Sequence, residues 1–559
     1  MLRLFLASLL LVAAPATAQD DLPFIGSVSA ADPRAEAAGM EMLRAGGSAT
    51  DAAIAVMLAL TVVEPQGSGI GGGGFYVRGD AAGSVETIDG RETAPAAATE
   101  RWFYGKDGEL LSYRDSVLSG LSVGVPGNIA LAARAHERHG RLPWSALFEP
   151  AIRLAGDGFA INRRLHDSLA RSAGRADLSD AAKRLFFDAE GAPLAAGTLV
   201  RNPELARTLE AVAARGAPAF YSGGIAAAIV DEVAPATPGP AAMTQDDVAG
   251  YEAKDRAAVC GSYRGYRVCG MGPPSSGGVA VVQMLGQLER FDLAALGARN
   301  PVTWHLFAES QALAYADREL YLADSDYVAV PVEGLIERTY LAQRSALISP
   351  DARLSNVEAG RPAGAQARAD GNEPVETGTS HLAVVDARGT MVSYTSTIEG
   401  PFGSGLMAAG FYLNNELTDF SRQPQVDGVP VANRVEGGKR PRSSMAPTIV
   451  WDPQGRPVLV VGAVGGATIP VQTARAIIGV VDFGLSARDA LALPFVMTRG
   501  DTLLIEEGSW LTRAAPAFAA LGWEVDVASP PLKAGAILRE GAVWEAARDP
   551  RIARELVIP

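Results

Sequence analysis

The sequence predicts a layered fold of mixed α/β or α+β type, and three observations carry that prediction. Helical patterns rich in Ala and Gly are interspersed with short strand-like runs along the chain. The composition, 48% hydrophobic and 20% charged over 559 residues, is that of a globular protein and excludes a disordered or fibrous one. Near residue 379 a stretch without hydrophobic periodicity feeds directly into a strand that opens on hydroxyl residues. Length alone suggests about three to four domains. No repeat is visible, and 61 glycines without a Gly-X-Y period exclude collagen. The balance of 49 basic against 63 acidic residues, net −14, argues against a nucleic-acid partner, which needs clustered Lys and Arg.

From the N-terminus, residues 1–18 read as a secretory signal. Arg3 supplies the charge, Leu4 to Ala14 the apolar core, and Ala16-Thr17-Ala18 the small-residue cleavage site. The apolar run of about 11 residues falls short of the about 20 that cross a bilayer, so an N-terminal anchor is the lesser reading. No later segment spans a membrane. The expected address is periplasmic or secreted, with a mature chain beginning near Gln19.

Ala35 to Ala45 reads as a helix ended by Gly46-Gly47, with a new start at Ser48/Thr50 and Asp51 in its first turn. Asp51 to Val63 is nearly all apolar, which predicts a helix buried on most sides. Further helices are expected at Gly127–His139, Trp144–Ala155 with a break at Pro150, Ala206–Arg215 and Val302–Ala323. Strands are expected at Phe75–Val77, Ser84–Ile88, Tyr266–Cys269, His381–Val385, Thr390–Ile398 and Val458–Val461. Cys260 and Cys269 lie equally far from a turn at Arg264-Gly265, so a hairpin would set them opposite each other. In an oxidising compartment they can form a disulfide; two free thiols are the alternative. Residues 360–378 read as an exposed, mobile linker.

Several familiar chemistries fail on spacing. There is no HExxH, no P-loop and no CxxC. Gly120-Leu121-Ser122-Val123-Gly124 matches GxSxG but lacks the strand before and the helix directly after that an elbow requires. The Gly69–Gly74 run satisfies GxGxxG, yet it follows a helix and precedes a strand, the reverse of a dinucleotide site. His136, His139, His166, His305 and His381 are scattered, and the His136/His139 pair reads as a solvated helix face. Neither a metal nor an organic cofactor is expected. What remains is a hydroxyl nucleophile at a chain start. A Thr hydroxyl needs a base. Cleavage before Thr379 would supply one, since a new α-amino group has a pKa of about 7.7–8.0. Gly378 tolerates the distorted backbone that self-attack needs. Taken alone, Gly-Thr-Ser before a strand is an ordinary strand start.

A wider set of blocks changes that reading. They are Asp51-Ala52-Ala53 onward to Glu64–Phe75, Arg91-Glu92-Thr93-Ala94-Pro95, Pro273–Gly278, Thr379-Ser380-His381, Leu413–Phe420, Lys439–Met445 and Gly465-Gly466. In this order they resemble the γ-glutamyltransferase (γ-glutamyl transpeptidase) family of N-terminal-nucleophile hydrolases, through nearly the whole mature chain. The resemblance implies an α+β fold, a four-layer αββα sandwich, and self-cleavage between Gly378 and Thr379. The products would be a large subunit (about residues 19–378) and a small catalytic one (379–559) that stay associated. It implies Thr379 as nucleophile, Thr397 as its hydrogen-bonding partner and Gly465-Gly466 N–H groups as the oxyanion hole. Arg91, with Ser443 and Ser444, would hold the substrate α-carboxylate, and Glu416 with Asp419 the α-ammonium.

The implied activity is γ-glutamyl transfer from a donor such as glutathione to water, an amino acid or a peptide. An acylase of the glutaryl-cephalosporin type, a poly-γ-glutamate processing enzyme, and a catalytically dead binder of γ-glutamyl compounds are the alternatives. The chain departs from many members at Glu399, where they carry Asn. That carboxylate could bind the ammonium or repel an anionic substrate. Ser421 to Gly438 holds no Tyr and looks shorter than the lid loop of some bacterial members, implying an open cleft that admits longer γ-glutamyl chains.

Overall fold

A computed structural model describes residues 24–239, 241–371, 378–553, 555, 556 and 558. The signal expected at residues 1–18 lies outside them. In chain order, two six-stranded sheets use β1 (Gly26–Ala30), β2 (Gly73–Gly79), β3 (Val85–Gly90), β4 (Lys254–Arg256), β5 (Val259–Tyr263), β6 (Tyr266–Gly270), β7 (Ser380–Asp386), β8 (Met391–Thr397), β9 (Thr448–Trp451), β10 (Pro457–Val464), β11 (Lys533–Glu540) and β12 (Val543–Arg548). The first sheet runs β1-β7-β8-β2-β3-β4 and the second β12-β11-β10-β9-β6-β5. Every pairing within both is antiparallel. Smaller sheets and many helices complete an α+β fold.

The helices that matter for the site are α1 (Pro33–Arg44), α2 (Ala49–Val63), α3 (Asn128–His139), α4 (Gly277–Leu288), α5 (Pro301–Tyr321) and α6 (Ile469–Val481). Helix α2 packs on β7 and β8, α4 and α6 pack on the second sheet, and β7 and β8 face β10 of that sheet. The period of two along the central strands sorts their side chains. Tyr76, Leu382, Val384, Val392 and Tyr394 join the core shared with α2. Phe75, Val77, Ala383, Val385 and Met391 join the core shared with Ile449 and Val460 of the second sheet. Both faces of β7 and β8 are therefore dry, which explains why these strands read as unbroken apolar and hydroxyl runs. Each fully buried Val or Leu here contributes about 1.5–3 kcal/mol.

Helix α2 begins where the capping signal places it. The Ser48 hydroxyl accepts the Asp51 N–H at 3.1 Å, and the Asp51 carboxylate accepts the Ser48 N–H at 2.8 Å. All fifteen of its residues are buried. Helix α1 starts earlier than the Ala35 expected, because Asp32 accepts from the Arg34 N–H and Pro33 occupies the first turn. The expected break at Pro150 lies just before it: a 3₁₀ turn (Trp144–Phe148) gives way to a helix (Glu149–Asp157) with Pro150 in its first turn.

Arg264 and Gly265 both adopt positive φ, 52° and 80°, closing a two-residue hairpin between β5 and β6. Cys260 pairs in register with Cys269, and the two are joined in a disulfide.

Two expectations require correction. Residues 360–371 are largely exposed or half-buried, in line with the expectation, but they are tied down and not a free linker. The Gly360 N–H donates to Asp317 at 2.7 Å, its carbonyl accepts from the Tyr321 hydroxyl at 2.7 Å, and Ala369 bridges to Val431. Low periodicity reported the lack of a regular element, while docking here uses backbone groups that composition does not reveal. The rest of that segment, 372–377, lies outside the described residues. His136 and His139 do not form a solvated face. His136 contacts the Leu142 carbonyl at 2.8 Å and His139 reaches Glu86 at 3.0 Å, both half-buried.

Candidate functional site

The loop that follows α2 and the strand β7 meet at Thr379. Its N–H donates to the Gly67 carbonyl at 3.0 Å, and its hydroxyl donates to the Thr397 hydroxyl at 3.1 Å. Thr397 ends β8, one strand over from β7, and its oxygen also accepts the Glu399 N–H at 2.8 Å. Thr379 is buried and has φ 118°, a region a β-branched residue rarely occupies. Gly378 precedes it with no room for a side chain: a Cβ there would overlap the Glu399 carbonyl. Gly378→Ala is therefore expected to push the junction out of place and slow any cleavage at this bond at least about tenfold. A time course of chain size on a denaturing gel reads the effect.

A buried charge cluster lies at the ends of neighbouring elements. Arg91 directly follows β3, and its guanidinium donates to Glu416, to Asp419, and to the Pro441 and Arg442 carbonyls at 3.2 and 2.9 Å. Glu416 and Asp419 bound a 3₁₀ turn (Glu416–Asp419). Asn414 stitches that turn in place: its side chain donates to the Gly71 and Gly124 carbonyls and accepts from the Glu416 N–H. All three charged side chains are almost fully buried. Beside them, burial drives the Glu92 carboxyl up to about 7 even though Arg91 pulls it down. Ser443 and Ser444 lie on the segment leading into β9. The Ser443 hydroxyl accepts the Met445 N–H at 3.1 Å, and the Ser444 hydroxyl accepts from Arg318 of α5 at 2.8 Å.

Glu399 is buried with φ 71°, and Asn415 donates to its carboxylate. Arg175 reaches the same Asn415 at 2.5 Å and exerts its charge on Glu399. Gly465 follows β10 with φ 112°, and a 3₁₀ turn over Gly466–Thr468 comes after it. The Thr468 N–H and hydroxyl close that turn on the Gly465 carbonyl. The Ser421 to Gly438 segment forms a small hairpin of Gln425–Val426 against Val429–Pro430.

A cavity of 670 Å³ opens against Gly378 and Thr379, and Gly67, Arg164, Val464 and Lys533 help line it. Two features of the site region escaped sequence reasoning. Lys533 and Glu64 are buried ion-pair partners at 2.8 Å, separated by 469 residues. Arg318 supports Ser444 from α5, a helix whose sequence pattern assigns its polar residues no role. Polar residues in predicted apolar surroundings, such as Glu64 after α2, were the available signal. The rejected motifs stay rejected: Ser122 lies in a 3₁₀ turn with its hydroxyl donating to the Val117 and Ser119 carbonyls, and Gly69–Gly74 leads from α2 into β2. Among the described residues no group of three or more His, Cys, Asp or Glu could hold a metal ion, and no helix is long and apolar enough to cross a membrane.

Comparison with known proteins gives a consistent result. The family profile described as Gamma-glutamyltranspeptidase matches residues 35–557. The chain is 37% identical to a glutathione hydrolase proenzyme of Bacillus subtilis (strain 168), over 86% of this chain and 82% of that one. It is also 37% identical to the glutathione hydrolase proenzyme of Escherichia coli (strain K12), over 84% and 80%. Among solved structures, a cephalosporin acylase from Bacillus halodurans aligns with a TM-score of 0.82 at 26% identity, covering 96% of this chain and 97% of that one.

Proposed function

The chain belongs to the gamma-glutamyltranspeptidase family and is a γ-glutamyl transferase and hydrolase; from that premise we propose that it is a self-processing enzyme whose nucleophile is Thr379. The observation that carries the reading is the strained, buried Thr379 in hydroxyl contact with Thr397, directly after a glycine that fits against the Glu399 carbonyl.

Processing begins when the Thr379 hydroxyl oxygen attacks the Gly378 carbonyl carbon and passes its proton on. The C–N bond breaks, the nitrogen takes up a proton, and an ester joins Gly378 to the Thr379 side chain. Water then hydrolyses the ester, leaving a Gly378 carboxylate and a Thr379 with free hydroxyl and free amine. The large subunit is residues 19–378 and the small one 379–559. They remain together because β7 and β8 of the small subunit lie between β1 and β2 of the large one. The two sheets with their flanking helices form a four-layer αββα sandwich.

In turnover the α-amine takes the hydroxyl proton as the oxygen attacks the γ-carbonyl of the donor. The oxyanion is held by the N–H groups of Gly465 and Gly466, where the left-handed turn bends the backbone at the end of β10. The departing amine takes the proton, and a γ-glutamyl ester remains on Thr379. Water yields glutamate; an amino acid or peptide amine yields a transfer product.

Recognition follows from the charge cluster. Arg91 pairs with both Glu416 and Asp419. A γ-glutamyl head is a zwitterion, so its carboxylate replaces the acids at Arg91 while its ammonium replaces Arg91 at the acids, and no charge is left unpaired. Glutathione, the substrate in the name of the curated relatives, carries such a head. A glutaryl group brings the carboxylate alone and would leave the acids short of a cation.

The structural likeness to a cephalosporin acylase favours a second reading as an acylase on groups without the ammonium. Asp419 stands against it. The signal expected at residues 1–18 supports an address in the periplasm or outside the cell. Intact-mass measurement and Edman sequencing of the active protein test the reading. A new chain beginning Thr-Ser-His-Leu is expected, and active protein without it overturns the assignment.

A further inference from the structure

The proposed reaction uses the hydroxyl and amine of Thr379 and leaves a buried cation that lines the same cavity without a role. Lys533 opens β11, and its ammonium bonds the Glu64 carboxylate at 2.8 Å and lies 3.4 Å from the Ser380 hydroxyl. The Ser380 hydroxyl also donates to Glu64. Arg164, from the helix Arg163–Arg171, reaches the same Glu64 oxygen as Lys533 at 3.3 Å. Glu64 caps α2 and starts the loop whose Gly67 carbonyl receives the Thr379 N–H. Lys533, Gly378 and Thr379 line one cavity.

We propose that Lys533 is a positioning residue for this reaction: its buried bridge to Glu64 and Ser380 seats the segment bearing Thr379, and its charge keeps the new terminal amine in the neutral, proton-accepting form. The inference rests on the reading of Thr379 as a processed nucleophile.

Two cations, Lys533 and Arg164, share one buried carboxylate, Glu64, and Arg164 also meets the exposed Glu555, so Lys533 and Glu64 are the buried pair whose charges act on the amine, each in its own direction. Positive surroundings disfavour an ammonium and lower its pKa. Among the other charges near the site, Glu506 and Arg551 pair with each other at 2.8 Å, Arg171 is exposed, and Glu399, whose carbonyl abuts Gly378, is a buried carboxylate that feels the Arg175 charge. His381, the residue after Ser380, is held down to about 3 by burial and then by Lys533, so it is uncharged at working pH. Burial, then repulsion from Arg164, brings the Lys533 ammonium down to about 8. Burial opposes it, but the Lys533 and Arg164 charges hold the Glu64 carboxyl below its ordinary range. Both partners are thus charged across the acid limb of the rate profile.

The test is the acid limb of kcat/KM against pH, on full-length processed enzyme with γ-glutamyl-p-nitroanilide. Lys533→Met removes a positive charge and should move the limb up by about 0.5 pH unit or more, while Glu64→Gln should move it down by a similar amount. Lys533→Arg should return it towards the wild-type position. A bridge that serves stability alone would lower Tm in all three and move no limb. Arg164→Gln removes a half-buried charge near the surface and should shift the limb upward, which keeps the question decidable if Lys533→Met does not fold. Unmoved limbs, or shifts of one sign in Lys533→Met and Glu64→Gln, overturn the inference. Edman sequencing of the wild type separates the two levels. A missing Thr-Ser-His-Leu terminus sinks the parent reading, whereas a normal terminus with unmoved limbs sinks only the role of Lys533.

Discussion

Thr379→Ala should run as one chain on a denaturing gel and lose at least about 10⁴-fold in hydrolysis of γ-glutamyl-p-nitroanilide. On the proposed mechanism alanine removes the oxygen that would attack Gly378 and, later, carry the γ-glutamyl group. The base is lost with it, because the amine exists only after cleavage. One substitution thus removes nucleophile, base and terminus together, and no other residue in the site should match the effect. The variant should fold, since the Thr379 N–H that bonds Gly67 and the strand β7 behind it are retained. A Thr379→Ala protein that still appears as two chains and still turns over would show that another residue is the nucleophile.

The second large effect is expected at Asp419. Asp419→Asn keeps the side-chain shape but removes one carboxylate from the buried cluster around Arg91. Removing one partner of a buried ion pair costs about 3–5 kcal/mol, and each 1.4 kcal/mol is about tenfold. For γ-glutamyl-p-nitroanilide, kcat/KM should fall about a hundredfold or more, mostly through KM, because the ammonium loses its partner before the chemistry begins. The matched glutaryl substrate has no ammonium, so its rate should fall far less or rise. Equal losses on both substrates would mean that Asp419 supports the fold around Arg91 and does not read the ammonium.

The legible parts of this molecule are those whose signals are local. Helix α2 was readable from end to end because Ser48 and Asp51 mark its start and apolar residues fill all faces. Strands β7 and β8 were readable from their apolar and hydroxyl runs. The hairpin that pairs Cys260 with Cys269 followed from turn chemistry at Arg264-Gly265.

The charge cluster was another matter. Arg91 and Glu416 meet across 325 positions, so no spacing rule joins them, and only resemblance put them in one site. For Lys533 and Glu64 even resemblance did not help, since Glu64 lies in a resembling block and Lys533 in none; nothing short of the packed fold shows that both are buried and in contact. The docked stretch at 360–371 was misjudged for a related reason. Its order comes from partners such as Asp317 and Val431, which lie elsewhere in the chain.

The strand order β1-β7-β8-β2 has a consequence for timing. A chain that emerges from its N-terminus makes the flanks of this sheet first and its middle some three hundred residues later. Until the late segment threads between those flanks, Gly67 has no Thr379 to hold and Thr397 no hydroxyl to meet. The second sheet delays completion further, since β11 and β12 come from the last stretch of the polypeptide. On the proposed mechanism scission would act as a certificate of maturity: a half-made or misassembled molecule would lack the geometry to cut itself, and only a finished one would be released into activity.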